Sequence, residues 1–183
     1  QTTGTLSSAD QNTAVGYAAM DAITQGDDNT IMGYNAGSGI TTGSDNTLIG
    51  SGAGDVLTTM TDNVAVGLNA LGGSSLVDST VVIGSGAGAA AMTAAADGTI
   101  AIGKAAGAAI TSGEGNTAIG YQALDAENDG DLNTAVGYEA LTAQAGTSGT
   151  VGNTAVGYQA GYYVNGGINN TLLGAYAGFK LGD

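Results

Sequence analysis

Residues Asn12 to Tyr17 read NTAVGY, and the same six letters return at Asn133 and Asn153, with NTAIGY at Asn116. A repeat this strict has to be read before any single residue, because it fixes the period of the whole fold. Aligned on its glycine, the motif recurs at Gly16, Gly33, Gly50, Gly67, Gly84, Gly103, Gly120, Gly137, Gly157 and Gly174. The intervals are 17, 17, 17, 17, 19, 17, 17, 20 and 17 residues, so ten copies fill nearly all of the 183-residue chain. Residues 1–183 are therefore expected to form one domain.

Directly before the glycine stands an aliphatic residue in every copy, from Val15 to Leu173. Two positions earlier is always a β-branched one: Thr in seven copies, and Val64, Val81 and Ile100 in the others. Alternation with period two and β-branched enrichment predict a short strand whose Thr and aliphatic positions share the inward face. Three residues after the glycine an alanine appears ten times out of ten, from Ala19 to Ala177, which marks close backbone approach in a thin core. Four further on, Ile23, Ile40, Leu57, Ile110, Val164 and Leu181 form a second apolar rank, replaced by Ser, Ala, Glu or Gln elsewhere. Turns such as GDDN at Gly26, GSDN at Gly43 and GDLN at Gly130 follow, of the kind whose glycine and Asx residues close tight bends. Each copy thus reads as strand, glycine bend, short strand and turn.

Seventeen residues cannot fold alone. Ordering their backbone costs roughly 1 to 2 kcal/mol each, against about 1.5 to 3 kcal/mol per buried aliphatic side chain. Stacking equivalent strands at about 4.8 Å satisfies their amides and sets like over like. The expected fold is all-β, a parallel β-solenoid (β-roll) of about ten coils, making a rod of about 50 Å. The two insertions fall in turns, where extra length is cheap.

Strand alternation then turns the residue between the two inward positions outward. It is apolar in all ten copies, with Ile31, Leu48, Val82 and Leu172 the largest. A continuous exposed apolar stripe marks an interface, so these four are interface candidates; the alternative is cover by the chain's own turns. Leu6 and Leu181 sit at the second apolar rank before the first coil and after the last. The chain is expected to begin and end inside the repeat without a cap, leaving strand edges that pair with another copy.

NTAVGYQA at Asn153 and NTAIGYQAL at Asn116 resemble the repeats of fibrous proteins: the heads of trimeric autotransporter adhesins and the repeat shafts of phage tail fibres. The resemblance covers residues 12–177 and rests on the shared phase, glycine and alanine. It implies a parallel β-roll, often trimeric, with a structural or adhesive role.

Composition closes several other routes. Two basic residues face sixteen acidic ones, for a formal charge of -14, which opposes nucleic-acid binding through phosphate neutralisation. No stretch is apolar enough to enter a bilayer. Cofactors are not expected, and without His or Cys neither is catalysis; paired carboxylates are the one route left, and no pair stands out among so many repeated Asp. The start at Gln1 matches a processed, secreted chain.

Four ranks remain that carry chemistry. Asn12, Asn29, Asn46, Asn63, Asn116, Asn133, Asn153 and Asn170 fall in phase, with Thr80 and Thr99 in the gaps, and are expected to form a structural ladder along the axis. Asp27, Asp28, Asp45 and Asp62 crowd the turns before it and are weak candidates for calcium. The Thr rank raises ice binding, which its inward reading opposes. The rank just past the glycine, with Tyr17, Tyr34, Tyr121, Tyr138 and Tyr158, admits a surface glycan or a neighbouring chain. The expected function is a non-enzymatic subunit of a self-assembling extracellular filament, its main partner a second copy. The alternative is a trimeric adhesin or tail-fibre shaft binding a host surface.

Overall fold

The structure, a computed structural model, describes residues 8–74, 76–144 and 148–181. Ten strands of three residues each form one sheet: Thr13–Val15, Thr30–Met32, Thr47–Ile49, Val64–Val66, Val81–Ile83, Ile100–Ile102, Thr117–Ile119, Thr134–Val136, Thr154–Val156 and Thr171–Leu173. They lie side by side in chain order, all parallel, and in the register that the repeat dictates: Thr13 opposite Thr30, Thr117 opposite Thr134, Thr154 opposite Thr171. The fold is a parallel β-solenoid with one coil per repeat, numbered here coil 1 (Gly16) to coil 10 (Gly174). The two longer intervals are absorbed in turns, one by the 3-10 turn Ala94–Ala96 and the other around Gly149–Thr150, which pairs with Gly130–Asp131.

Among the described residues the expected second strand after the glycine forms only in coils 9 and 10, where Tyr163–Val164 pairs with Lys180–Leu181. In all ten coils, these two included, the chain bends through two left-handed residues placed two and four positions past the glycine. Gln122 (φ 49) and Leu124 (φ 54) show the pattern, and Glu139 (φ 53) and Leu141 (φ 49) repeat it. A side chain in that region costs roughly 1 to 2 kcal/mol. The bends persist because their amides are used between coils: Gln122 N–H donates to the Lys104 carbonyl at 3.0 Å and Leu124 N–H to the Ala140 carbonyl at 2.9 Å.

The strand's orientation is the reverse of the one expected. Ile31, Leu48 and Val82 are fully buried, as are Ala65, Ala101, Ala118, Ala135 and Ala155 at the same position; Leu172, in the last coil, is half-buried against the same core. The interface stripe assigned to Ile31, Leu48, Val82 and Leu172 is therefore core. It is the Thr and aliphatic positions on either side that face out. A three-residue strand places one side chain on one face and two on the other, and here the single one points inward.

In eight of the ten coils the core is filled by exchange of volume between the strand centre and the residue four past the glycine; coils 6 and 9 pair Ala101 with Gly107 and Ala155 with Gly161. Ile31 faces Gly37, Leu48 faces Gly54, Val82 faces Gly88 and Leu172 faces Gly178; a methyl group on any of these glycines would strike the aliphatic side chain. Where the centre is Ala65, Ala118 or Ala135, the partner position is instead Leu71, Leu124 or Leu141, all fully buried. Those leucines displace the second apolar rank, and the same three coils carry Ser74, Glu127 and Gln144 there, also buried. Glu127 is held by the amides of Asn128 and Gly130, both at 2.9 Å, and by Gln144 Nε2 at 2.6 Å. Gln144 Oε1 in turn accepts from Asn153 Nδ2 at 2.8 Å. A carboxylate in so narrow a core is tolerated because both its oxygens receive donors.

Candidate functional site

Beside the sheet, the Asn rank forms two ladders. Asn29, Asn46 and Asn63 each donate both the backbone N–H and Nδ2 to the Oδ1 of the Asn one coil earlier, at 3.0 to 3.2 Å. Thr80 continues the stack with N–H and Oγ1 on Asn63 Oδ1. The sequence breaks at Thr99, whose hydroxyl turns to the Ala96 carbonyl of its own turn. It resumes as Asn133 and Asn153 bond the Oδ1 of Asn116 and Asn133, and Asn170 that of Asn153. Every rung points the same way, so the ladder has polarity: the later coil donates and the earlier accepts.

That polarity leaves complementary groups at the two ends of the described solenoid. At coil 10 no donor among the described residues reaches Asn170 Oδ1, and none reaches the carbonyls of Leu173 or Ala175. At coil 1 the amides of Asn12, Gly16 and Ala18 find no acceptor among them. Between successive coils the same backbone groups meet: Gly174 N–H bonds Val156 O, and Tyr176 N–H bonds Tyr158 O, both at 2.8 Å. Shallow concavities mark the same ends. One of about 330 Å³ lies by Asn12, Ala14 and Met20, and one of about 460 Å³ by Tyr163 and Leu181. Of the two terminal candidates, Leu181 is half-buried beside the latter, and Leu6 lies outside the described residues.

The outward face of the sheet carries the seven Thr and the aliphatic rank from Val15 to Leu173, with no charged residue in any of the ten strands. The rank is half-buried in most coils and most exposed in the outer ones, with Leu173 at 78 %. None of the seven Thr hydroxyls bonds to another described residue, whereas the turn residues Thr41, Thr93 and Thr111 bond backbone carbonyls. The inward placement that spoke against ice binding is thus overturned.

The Tyr rank stacks along the axis. Centroids lie 5.3 Å apart for Tyr17 and Tyr34, 4.9 Å for Tyr121 and Tyr138, and 5.4 Å for Tyr138 and Tyr158, with planes within 12° to 16° of parallel. Rings stacked this closely cover one another's faces and leave edges and hydroxyls outside, with Tyr17 at the end of its stack keeping one face open. Partial burial in the column, together with the Glu139 carboxylate, pushes the Tyr138 phenol above its ordinary range. Burial and the neighbouring Tyr176 do the same for Tyr158.

The acidic turns are occupied by the backbone. Asp27, Asp78 and Asp131 each accept an amide of the preceding coil, from Asp10, Thr61 and Glu114, at 2.6 to 2.9 Å. Asp28 (φ 55), Asp45 (φ 58) and Asp62 (φ 59) are exposed left-handed turn residues. No three acidic side chains converge on a common point among the described residues. Burial raises two carboxyl groups, Asp55 and Asp125. They stand in coils 3 and 7, about 19 Å apart along the axis at the sheet spacing, well beyond the roughly 5 to 9.5 Å at which paired carboxylates cleave glycosides. No helix among the described residues is long and apolar enough to cross a membrane. Comparison with protein-family models, with curated proteins and with solved structures finds no match for this chain.

Proposed function

We propose that the chain is a non-enzymatic structural subunit of an extracellular filament built by end-to-end stacking of its coils. The observation that carries this reading is the complementarity of the two open ends. A second copy set above coil 10 in the repeat's own register brings Asn12 N–H to Asn170 Oδ1, Gly16 N–H to Leu173 O and Ala18 N–H to Ala175 O. It also lets Thr171 N–H donate to Asn12 O, as Thr154 N–H donates to Asn170 O within the chain at 2.8 Å. Unpaired amides at a sheet edge are templates for another chain, and a head-to-tail contact that does not close extends without limit. The extracellular setting follows from the resemblance to secreted fibrous proteins.

Two specific observations favour other readings of the outward face. Its aliphatic rank suits lateral packing of three copies, as in a trimeric adhesin or tail-fibre shaft, and its unpaired Thr hydroxyls suit ice binding. Negative-stain images of the purified protein separate these: long uniform fibres support axial stacking, whereas discrete short trimers contradict it. Thermal hysteresis in solutions that contain no fibres would favour the ice reading.

A further inference from the structure

All nine aromatic residues of the chain fall into two groups, with none between Tyr34 and Tyr121. Coils 1 and 2 hold Tyr17 and Tyr34. Coils 7 to 10 hold Tyr121, Tyr138, Tyr158, Tyr162, Tyr163, Tyr176 and Phe179, while the same rank in coils 3 to 6 reads Ser51, Leu68, Ser85 and Lys104. In coil 10 the rank itself is Ala175, yet the column does not stop there. Tyr176 brings its ring 5.2 Å from that of Tyr158, edge-on at 75°, and lies 5.8 Å from Phe179. At the other end Tyr17 is 73 % exposed, with Tyr34 on one side only.

Charge is divided in the same sense. Residues 1–34 carry Asp10, Asp21, Asp27 and Asp28 and no base, whereas residues 140–183 carry one base, Lys180, and one acid, Asp183. Contact between two first coils would oppose four acids to four; contact of a first coil with a last coil sets them against one acid and one base.

Resting on the axial reading above, we propose that the junction between stacked copies is an aromatic seam. Tyr17 of one copy closes on Tyr176 of the copy beneath it. Tyr121, Tyr138, Tyr158 and Tyr176 then run into Tyr17 and Tyr34 of the next chain as one column through six coils. At about 4.8 Å per coil, Tyr17 lies two coils above Tyr158, and Tyr176 fills the space between. Coils 3 to 6 hold no aromatic residue, whereas the coils on both sides of the proposed junction do.

The test is oxidative coupling in a mixture of unlabelled and nitrogen-15-labelled copies, assembled and then illuminated with tris(bipyridyl)ruthenium and persulfate. Each of two phenols loses one electron to the photogenerated ruthenium(III) and one proton to water, while persulfate, reduced to sulfate, re-oxidises the photoexcited ruthenium(II); the two phenoxyl radicals join through ring carbons ortho to oxygen, and the product tautomerises back to two phenols. The expected result is a mixed-isotope cross-link between Tyr17 and Tyr176 or Tyr158. Tyr17→Ser is expected to raise the concentration at which fibres appear roughly tenfold. Leu68→Ser, at the same rank in coil 4, should leave it unchanged. Thermal melts of the unassembled variants check that both fold, and the cross-link map needs no variant. Fibres in which Tyr17 couples only to Tyr34 of its own chain, and which Tyr17→Ser forms as readily as the parent, would overturn the seam while sparing axial stacking. Absence of fibres at any concentration overturns both.

Discussion

Coil 7 and coil 10 are written in the same motif, yet their surroundings differ. The carbonyl of Gly137, one coil on, occupies the space a side chain on Gly120 would need, and Gly103, Gly67 and Gly33 meet the same obstacle. Gly174 has φ 119 and nothing within 4 Å of where its Cβ would stand. Ala118 is buried and its counterpart Ala14 in coil 1 is exposed. The difference shows that in this fold burial belongs to the neighbour rather than to the residue: a coil is finished only when another lies on it. Interior and terminal positions should therefore respond differently to the same substitution.

The largest expected contrast is at the glycines. Gly120→Ala adds a methyl group where the Gly137 carbonyl already lies, at φ 138, and should lose about 4 kcal/mol or more in urea unfolding, or fail to fold. Gly174→Ala meets only backbone strain in the isolated chain and should lose about 2 kcal/mol, but it should not assemble, because the next coil's backbone would then meet the methyl group. A Gly174→Ala protein that forms fibres at the parent's concentration would break the comparison.

Next comes the buried carboxylate of coil 7. Glu127→Ala leaves the amides of Asn128 and Gly130 and the Gln144 amide without their acceptor, for an expected loss of about 3 kcal/mol by chemical denaturation. The Asn ladder sharpens the contrast between middle and end. Asn63→Ala removes acceptor and donor together in a buried rung and should cost about 2 kcal/mol, whereas Asn170→Ala, with one side of its rung empty, should cost about 1 kcal/mol or less.

The smallest effect concerns alkaline pH. Tyr138 and Tyr158 are raised above the ordinary value of 10.0, chiefly by burial in the column. A phenol that ionises later in the folded chain than in the unfolded one stabilises the fold below the ordinary range, and that contribution is lost as pH rises through the folded values. The melting temperature should therefore decline as pH rises past about 10, and the decline should be weaker in Tyr138→Phe. Ultraviolet titration of the phenolates alongside the melts checks both.

Most of the architecture was legible in the sequence. The glycine phase gave ten coils, the β-branched positions gave the strands, and the Asn phase gave the ladder, because in a solenoid each is a local rule applied ten times. The face of the strand was misread: Thr and aliphatic residues at both flanking positions made the two-residue side look like core, and Ala at the centre looked like a surface residue. The deciding signal was nevertheless present. Ile31 with Gly37, Leu48 with Gly54, Ala65 with Leu71 and Ala118 with Leu124 exchange bulk within single coils, which only two positions sharing one interior need do. The left-handed bends at Gln122, Leu124 and Glu139 had no such signal, since those residues prefer other conformations and are held there by amides of neighbouring coils. The proposed seam had no signal of its own: the Tyr rank looks merely variable until a second copy is set end to end with the first.

The central claim is that one chain's last coil is completed by another's first. Helical reconstruction from electron cryomicroscopy of the purified native protein tests it most directly. Ten coils at about 4.8 Å predict unbranched fibres with an axial rise of about 48 Å per chain and an unbroken sheet running from the strand Thr171–Leu173 of one copy into Thr13–Val15 of the next. Discrete particles of one or three chains at high concentration, or fibres in which those two strands do not pair, would contradict it.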